Sequence, residues 1–221
     1  MMAQSGSGSG GGEIEVPNGV YIQDTDGVLW QEAAWDGSAT PNGIAVVADE
    51  CRFVIALDEE SSICIDSVGD YVDLSLPVFS KDSEAIADYL GKSNTEVIVS
   101  VYGYDTNEAG GFCVNFTFPN GEQGYLGAAG EWEIVRVNKF EIEKCMTKAG
   151  GVTLEGNYQY WTSTRAKDYS IPYENIGPYI CFWRLYWSRS VWSDRTADDC
   201  SVNAIARPFT ELGDVTGIVE A

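Results

Sequence analysis

Aromatic rings and arginines are concentrated in one segment near the carboxyl end of the chain. Eleven of the thirty-five residues from Tyr158 to Trp192 are aromatic, and they lie among Arg, Ser, Asp and Asn. Rigid aromatic side chains supply contact area, Arg supplies forked donors, and short polar groups adapt to a partner. Because this composition is typical of a binding face, we expect the segment to bind a ligand and not to catalyse a reaction.

Two other kinds of chemistry are constrained by composition. The 221 residues include no histidine, which excludes His-based acid–base catalysis and His-ligated metal sites. We expect no cofactor. The six cysteines contain no CxxC pair and are expected to be mostly buried thiols, although Cys181 and Cys200 could pair in an exported protein; they are Cys51, Cys64, Cys113, Cys145, Cys181 and Cys200.

The negative charge is spread unevenly. The net charge is −21, yet residues 158–207 hold six Lys/Arg and five Asp/Glu, so the remainder holds seven bases and twenty-nine acids. A chain this acidic is repelled by nucleic acid and anionic membranes, whereas the near-neutral segment suits neutral or mixed partners. No apolar stretch of about 18 residues is present, so we expect no membrane insertion. Residues 1–12 lack the apolar run of a secretory signal, and their Gly/Ser composition predicts a flexible segment.

The amino-terminal half has a strand pattern. Residues 13–90 are predicted to be β-rich, with a hairpin turning at Asp24-Thr25-Asp26-Gly27 and further strands at Ile44–Val47 and Cys51–Leu57. The two turn aspartates lack the downstream ligands of a calcium loop, so we expect a simple turn.

Helical patterns appear in three places. Residues 80–91 fit a short helix capped by Asp82 or Ser83 and ended by Gly91, while Phe112–Phe118 only alternates weakly. Two consecutive helices are predicted at 131–138 and 139–149, the second opened by a capping box of Asn138 and Glu141 and closed by Gly150-Gly151. After Gly151 we expect only short strands and long loops.

The order of motifs from about residue 90 to 209 resembles a bacterial and phage family with the C-type-lectin fold, which includes the variable proteins of diversity-generating retroelements. The motifs are Phe118-Pro119-Asn120-Gly121, Gly124-Tyr125-Leu126, Gly130-Glu131-Trp132, Gly150-Gly151, Tyr160-Trp161-Thr162-Ser163-Thr164 and Ala206-Arg207-Pro208-Phe209. The resemblance implies an α+β fold with two consecutive helices, a small antiparallel sheet and long loops. It implies a C-type-lectin-like domain over 91–209, a variable region over 161–203 and a tail over 210–221.

In diversified members of that family, adenine-directed substitution rewrites the segment before the terminal Arg-Pro. Such codons do not yield Trp, Lys or Glu, so the resemblance implies a framework of Trp161, Lys167, Glu174, Trp183, Trp187 and Trp192. The variable, ligand-facing candidates are Arg165, Tyr169, Ile171, Tyr173, Tyr179, Phe182, Arg184, Tyr186, Arg189, Asp194, Arg195, Asp198 and Asp199.

Strand alternation sorts part of this segment into two faces. If Cys181, Trp183, Leu185 and Trp187 share the core face of a strand, the intervening residues from Phe182 to Ser188 share the exposed face. Trp161 and Trp183 are expected to be core residues.

The resemblance implies a non-enzymatic recognition protein that binds a cell-surface protein or glycan receptor. It would serve as a phage tail receptor-binding protein that sets host tropism or as a bacterial surface adhesin, in either case as a possible homo-oligomer. The cysteines do not match the motif of the related formylglycine-generating enzymes. Two alternatives stay open: a calcium-dependent lectin of fixed sugar specificity, and a structural assembly subunit.

Overall fold

Two β-sheets and five α-helices form the described part of the chain. The computed structural model describes residues 14–65, 74–154, 159–166, 181–186, 191–196 and 204–221; in 181–186 and 191–196 only Leu185 is described beyond the main chain. This mixture of helices and sheets confirms the expected α+β class.

The first sheet joins strands from both ends of the sequence. Its members are β1 (Gly19–Asp24), β2 (Val28–Trp30), β3 (Pro41–Val47), β4 (Arg52–Ile55), β7 (Tyr125–Leu126), β12 (Pro208–Glu211) and β13 (Gly217–Val219), in the order β13-β2-β1-β3-β4-β12-β7. The β13–β2 pair is parallel and the other pairs are antiparallel. The predicted amino-terminal part and the predicted tail therefore share one sheet.

The second sheet carries the segment of interest. Its members are β5 (Glu60–Ile63), β6 (Val78–Phe79), β8 (Gln159–Ala166), β9 (Cys181–Tyr186), β10 (Val191–Thr196) and β11 (Ala204–Ala206), in the order β10-β9-β8-β11-β5, with β6 also paired to β8. Strand β8 runs parallel to both β11 and β6. The expected small antiparallel sheet is in fact mixed, because long crossovers bring β6 and β11 alongside β8 in the parallel sense.

The helices pack around these sheets. They are α1 (Asp82–Ala85), α2 (Gly91–Tyr102), α3 (Ala109–Asn115), α4 (Ala129–Val137) and α5 (Lys139–Ala149), with a short 3-10 helix at Glu32–Ala34. The two predicted consecutive helices are confirmed as α4 and α5. Gly150 ends α5 with φ 77°, the left-handed conformation that glycine adopts without a steric penalty.

Three local predictions were wrong. Asn138 makes no capping bond, because its amide donates back to the Ile134 carbonyl (2.9 Å). Gly91 begins α2 instead of ending a helix, and the helix before it covers only Asp82–Ala85. The weak alternation at Phe112–Phe118 did not indicate a helix, yet its first four residues form the end of α3. The chain becomes extended only after Asn115.

The predicted hairpin at Gly27 is confirmed as a turn between β1 and β2. The Asp24 carboxylate accepts hydrogen bonds from the Asp26 and Val28 amides (3.0 and 2.9 Å) and from Trp30 Nε1 (2.8 Å). Gly27 has φ 80°. The Asp24 side chain therefore stabilises the turn by bonding to main-chain amides two and four residues ahead, as in an Asx turn, and to the indole of Trp30.

Two parts of the core lie on opposite faces of β8. Trp132 is central to the first part, with ring centroids 4.7 Å from Tyr160 and 5.1 Å from Phe209. Trp161 belongs to the second part, which includes Ile63. Because Tyr160 and Trp161 are adjacent in a strand, they point to opposite faces, and β8 is covered on both sides.

Candidate ligand-binding site

Strand β8 is the buried first part of the aromatic segment. Every residue from Tyr160 to Thr164 is buried, with Trp161 only 1% exposed. Trp161 donates its indole N–H to the Ile63 carbonyl (2.9 Å), which satisfies the polar atom of an otherwise apolar buried ring. The expectation that Trp161 is a core residue is confirmed.

Asp88 fixes the far end of β8 to two helices. Its Oδ2 accepts hydrogen bonds from Thr164 Oγ1 (2.7 Å) and from Asn94 Nδ2 in α2 (2.8 Å). Thr164 Oγ1 in turn accepts from the Ala129 amide at the start of α4 (2.8 Å). Since all these groups are buried, a displacement of β8 would leave several polar atoms without partners, at about 1–3 kcal/mol each.

Glu131 makes a second buried polar junction beside the first. Its carboxylate accepts hydrogen bonds from Tyr125 Oη (2.8 Å) and the Ala128 amide (2.7 Å). Burial raises the pKa of Glu131 to about 8, although both donors oppose the shift and the Asp88 charge adds to it. Burial, followed by the charge of Glu131, also raises the pKa of Tyr125 well above its ordinary value.

Glycine is required where α2 starts against this junction. A Cβ on Gly91 would lie 2.2 Å from Glu131 Oε2 and 2.7 Å from the Tyr125 ring. Such distances are far inside van der Waals contact, so any other residue would push α2 away from the α4 amino terminus.

Arg207 directly follows β11 and forms a buried ion pair with Glu59, which directly precedes β5. Arg207 is fully buried; Nε donates to Glu59 Oε2 (2.8 Å), and Nη2 contacts the same oxygen. Its guanidinium also donates to the Ala56 and Val152 carbonyls (3.0 and 2.9 Å). Tyr160 Oη donates to the same Glu59 oxygen (3.1 Å), so this ion pair also holds β8.

Strands β9 and β10 extend the sheet outward from β8. Tyr160 pairs with Leu185, and Leu185 pairs with Trp192 on β10. Leu185 is fully buried and shares the core part that contains Tyr160. The strand considered from the alternation of Cys181 to Ser188 is present as β9 (Cys181–Tyr186), and Leu185, placed on its core face, is buried.

Six of the thirteen predicted ligand-facing residues lie on these three strands. Phe182 is the backbone partner of Arg165 on one side and of Arg195 on the other. Arg184 pairs with Trp161 and with Ser193. The remaining two of the six are Tyr186 and Asp194. Directly paired residues share a face of a sheet, so the register groups Arg165, Phe182 and Arg195 in one row.

Arg165 is the predicted position whose side chain is described. It is partly exposed, and its Nη1 donates to the Leu74 carbonyl (2.6 Å). Seven predicted positions lie outside the described residues: Tyr169, Ile171, Tyr173, Tyr179, Arg189, Asp198 and Asp199. Cys200 lies outside them as well, while Cys51, Cys64, Cys113 and Cys145 are thiols.

Sequence reasoning missed the residues that hold the site in place. Asp88 and Glu59 are two acids among thirty-four, and nothing in their spacing singles them out. Glu131 and Arg207 lie inside the recognised motifs; Glu131 bonds to residues three and six positions away, whereas Arg207 bonds to Glu59, which is 148 residues away. Only the motif order signalled that these two positions are special.

The described residues contain no group of three or more Cys, Asp or Glu side chains that could hold a metal ion. Across the same residues, no helix is both long enough and apolar enough to cross a membrane. In comparisons with known proteins, the chain matches no family model, no curated protein and no solved structure.

Proposed function

We propose that this chain is a non-catalytic recognition protein with a C-type-lectin-like scaffold. The aromatic and arginine-rich segment binds a protein or glycan on a target cell surface, as a phage receptor-binding protein or a bacterial adhesin. One observation supports the proposal: a segment with the composition of a binding face begins with a strand that is buried and hydrogen-bonded at both ends.

The division of labour within the chain supports this function. The anchors of β8 are Trp161, Thr164, Asp88 and the Arg207–Glu59 pair, and none of them is a predicted ligand-facing position. A scaffold stabilised elsewhere tolerates changes in a binding segment without refolding. This is the property that a protein with a diversified segment requires.

The strand register supports a mixed aromatic and cationic surface. Phe182 lies between Arg165 and Arg195 across three strands. Arginine pairs with carboxylates through two parallel hydrogen bonds and stacks on aromatic faces. We therefore expect receptors that present carboxylates together with aromatic or other apolar groups.

A serine-exchange variant tests this proposal. Tyr169, Tyr173, Arg184, Tyr186 and Arg189 are all replaced by Ser, and Trp161→Ser serves as the matched core control. We expect the five-fold variant to lose about 1 kcal/mol or less of unfolding free energy, as surface changes do, while Trp161→Ser loses about 3–5 kcal/mol.

Binding is measured on an array of bacterial surface proteins and glycans, with and without calcium. We expect the parent chain to bind at least one array member in the absence of calcium and the serine variant to lose that binding. Binding that requires calcium would favour a lectin of fixed specificity. Unfolding or loss of oligomeric state in the serine variant would identify the segment as a buried interface and refute the proposal.

A further inference from the structure

A groove lies between β5 and α3. Its volume is about 870 Å³, and the residues used below line it: Ser61, Ser62, Asn107, Phe112, Asn115 and Phe116. That volume falls in the range of sites for small organic ligands. No motif in the sequence pointed to it.

The β5 backbone is distorted where it borders the groove. Ser62 has φ 63°, and it is the one non-glycine residue with positive φ among the described residues. Ile63 pairs with Ala204 and Glu60 with Ala206, so two residues of β5 face one residue of β11. This is a β-bulge; bulges re-aim side chains beside binding sites and also prevent further strand addition at a sheet edge.

The side chains of the groove combine flat rings with neutral polar groups. Phe112 and Phe116 are partly exposed, with ring centroids 6.4 Å apart. The Asn115 amide donates to the Tyr104 and Gly111 carbonyls (2.9 and 2.8 Å), which fixes its orientation and leaves its carbonyl oxygen as an acceptor. Ser61 and Ser62 add exposed hydroxyl groups.

The charges around the groove disfavour anions. Glu60 lines it and is exposed, and Asp105 accepts a hydrogen bond from the Asn107 amide (2.7 Å). No Lys or Arg is among the described residues that line it. A phosphorylated, sulfated or acidic ligand would therefore meet uncompensated negative charge in a protein of net charge −21.

We propose that this groove binds a neutral carbohydrate. The C–H faces of a sugar ring pack against aromatic rings through dispersion and the hydrophobic effect. Its hydroxyl groups both donate and accept hydrogen bonds, as the asparagine and serine side chains here require. The bulge at Ser62 disfavours an extended peptide as the occupant. None of the described residues that line the groove is a predicted ligand-facing position.

The test is an NMR titration of the full chain with maltotriose, cellotriose, chitotriose and mannotriose, and with a heparin tetrasaccharide as the anionic comparison. Each is added to about 10 mM, enough to nearly saturate a site with a Kd of about 1 mM. We expect at least one neutral trisaccharide to shift the assigned amides of Ser61, Ser62 and Asn107, and the heparin fragment to leave them unchanged.

Ser61→Trp fills the groove at an exposed position, and Ser38→Trp places the same ring in an exposed turn elsewhere. We expect affinity to fall by about tenfold or more, which is 1.4 kcal/mol, in Ser61→Trp and to be unchanged in Ser38→Trp. The serine-exchange variant should bind as the parent chain does. The proposal is overturned if no neutral sugar shifts these amides, if Ser61→Trp binds normally, or if the heparin fragment binds equally well.

Discussion

Replacing Arg207 by Met tests whether the buried ion pair holds the two ends of the chain together. The guanidinium is fully buried and contacts Glu59, Ala56 and Val152. Methionine retains an unbranched, apolar side chain of similar reach, so the substitution removes the charge and the donors while filling much of the space.

The expected loss follows from what Met leaves behind. The Glu59 side chain is only 7% exposed, and breaking a buried pair by removing one partner costs about 3–5 kcal/mol because the other charge is stranded. The Ala56 and Val152 carbonyls each lose a donor as well. We expect the free energy of unfolding to fall by about 4 kcal/mol, which moves the urea midpoint down by about 1.5 M.

Urea unfolding followed by tryptophan fluorescence measures this shift. The control is Arg136→Met, which removes a partly exposed pair with Glu133 one helical turn away and should cost less than about 1 kcal/mol. The double variant Arg207→Met/Glu59→Met should recover part of the loss, since it no longer buries a lone carboxylate. Equal effects of Arg207→Met and Arg136→Met, or a double variant that is simply additive, would refute the reasoning.

Two further outcomes are expected. The pKa of Glu131 is raised by burial to about 8, so the folded state holds a proton that the unfolded state releases near its ordinary value of 4.5. Its contribution to stability is present at low pH and declines as pH rises from about 5 to 8, by up to about 1.4 kcal/mol per pH unit. Glu131→Gln should flatten that slope in urea titrations, whereas Glu141→Gln should not. Gly91→Ala should cost about 2–3 kcal/mol by overpacking, whereas Gly213→Ala, with open space around it, should change the melting temperature little; equal effects would contradict the close contact at α2.

Local patterns in the sequence were sufficient where neighbours along the chain decide the structure. The apolar spacing through Trp132 and Ile142 predicted α4 and α5, because both helices bury a single face. The turn at Gly27 was predictable because Asp24 bonds to amides two and four residues ahead. In the turn, both of these contacts lie within four residues along the chain.

Local patterns failed where distant contacts override propensity. Helix α3 contains two adjacent glycines, Gly110 and Gly111, which are poor helix formers. A Cβ on Gly111 would lie 2.0 Å from the Asp105 carbonyl, so close packing requires the residue that local propensity disfavours. Similarly, Gly91 resembles a helix stop in sequence, yet it opens α2 because only glycine fits against Glu131.

Sequence reasoning could not predict which strands share a sheet, because those pairings join residues that are far apart in the chain. Strand β13 pairs with β2 across almost the whole chain, at Ile218 and Leu29, and Arg207 bonds to Glu59 over 148 residues. Neither pairing leaves a period or a spacing in the sequence. The motif around Arg207 could be recognised from its order, but the reason for that arginine became visible only through its partners.

The buried polar groups around β8 fix the strand with which the proposed binding segment begins. Besides its backbone pairing, β8 is held by directional side-chain bonds at Tyr160, Trp161 and Thr164. Displacement would strand several donors and acceptors at once, and the penalties for buried unsatisfied groups accumulate. The position of β8 is therefore set by its buried polar partners.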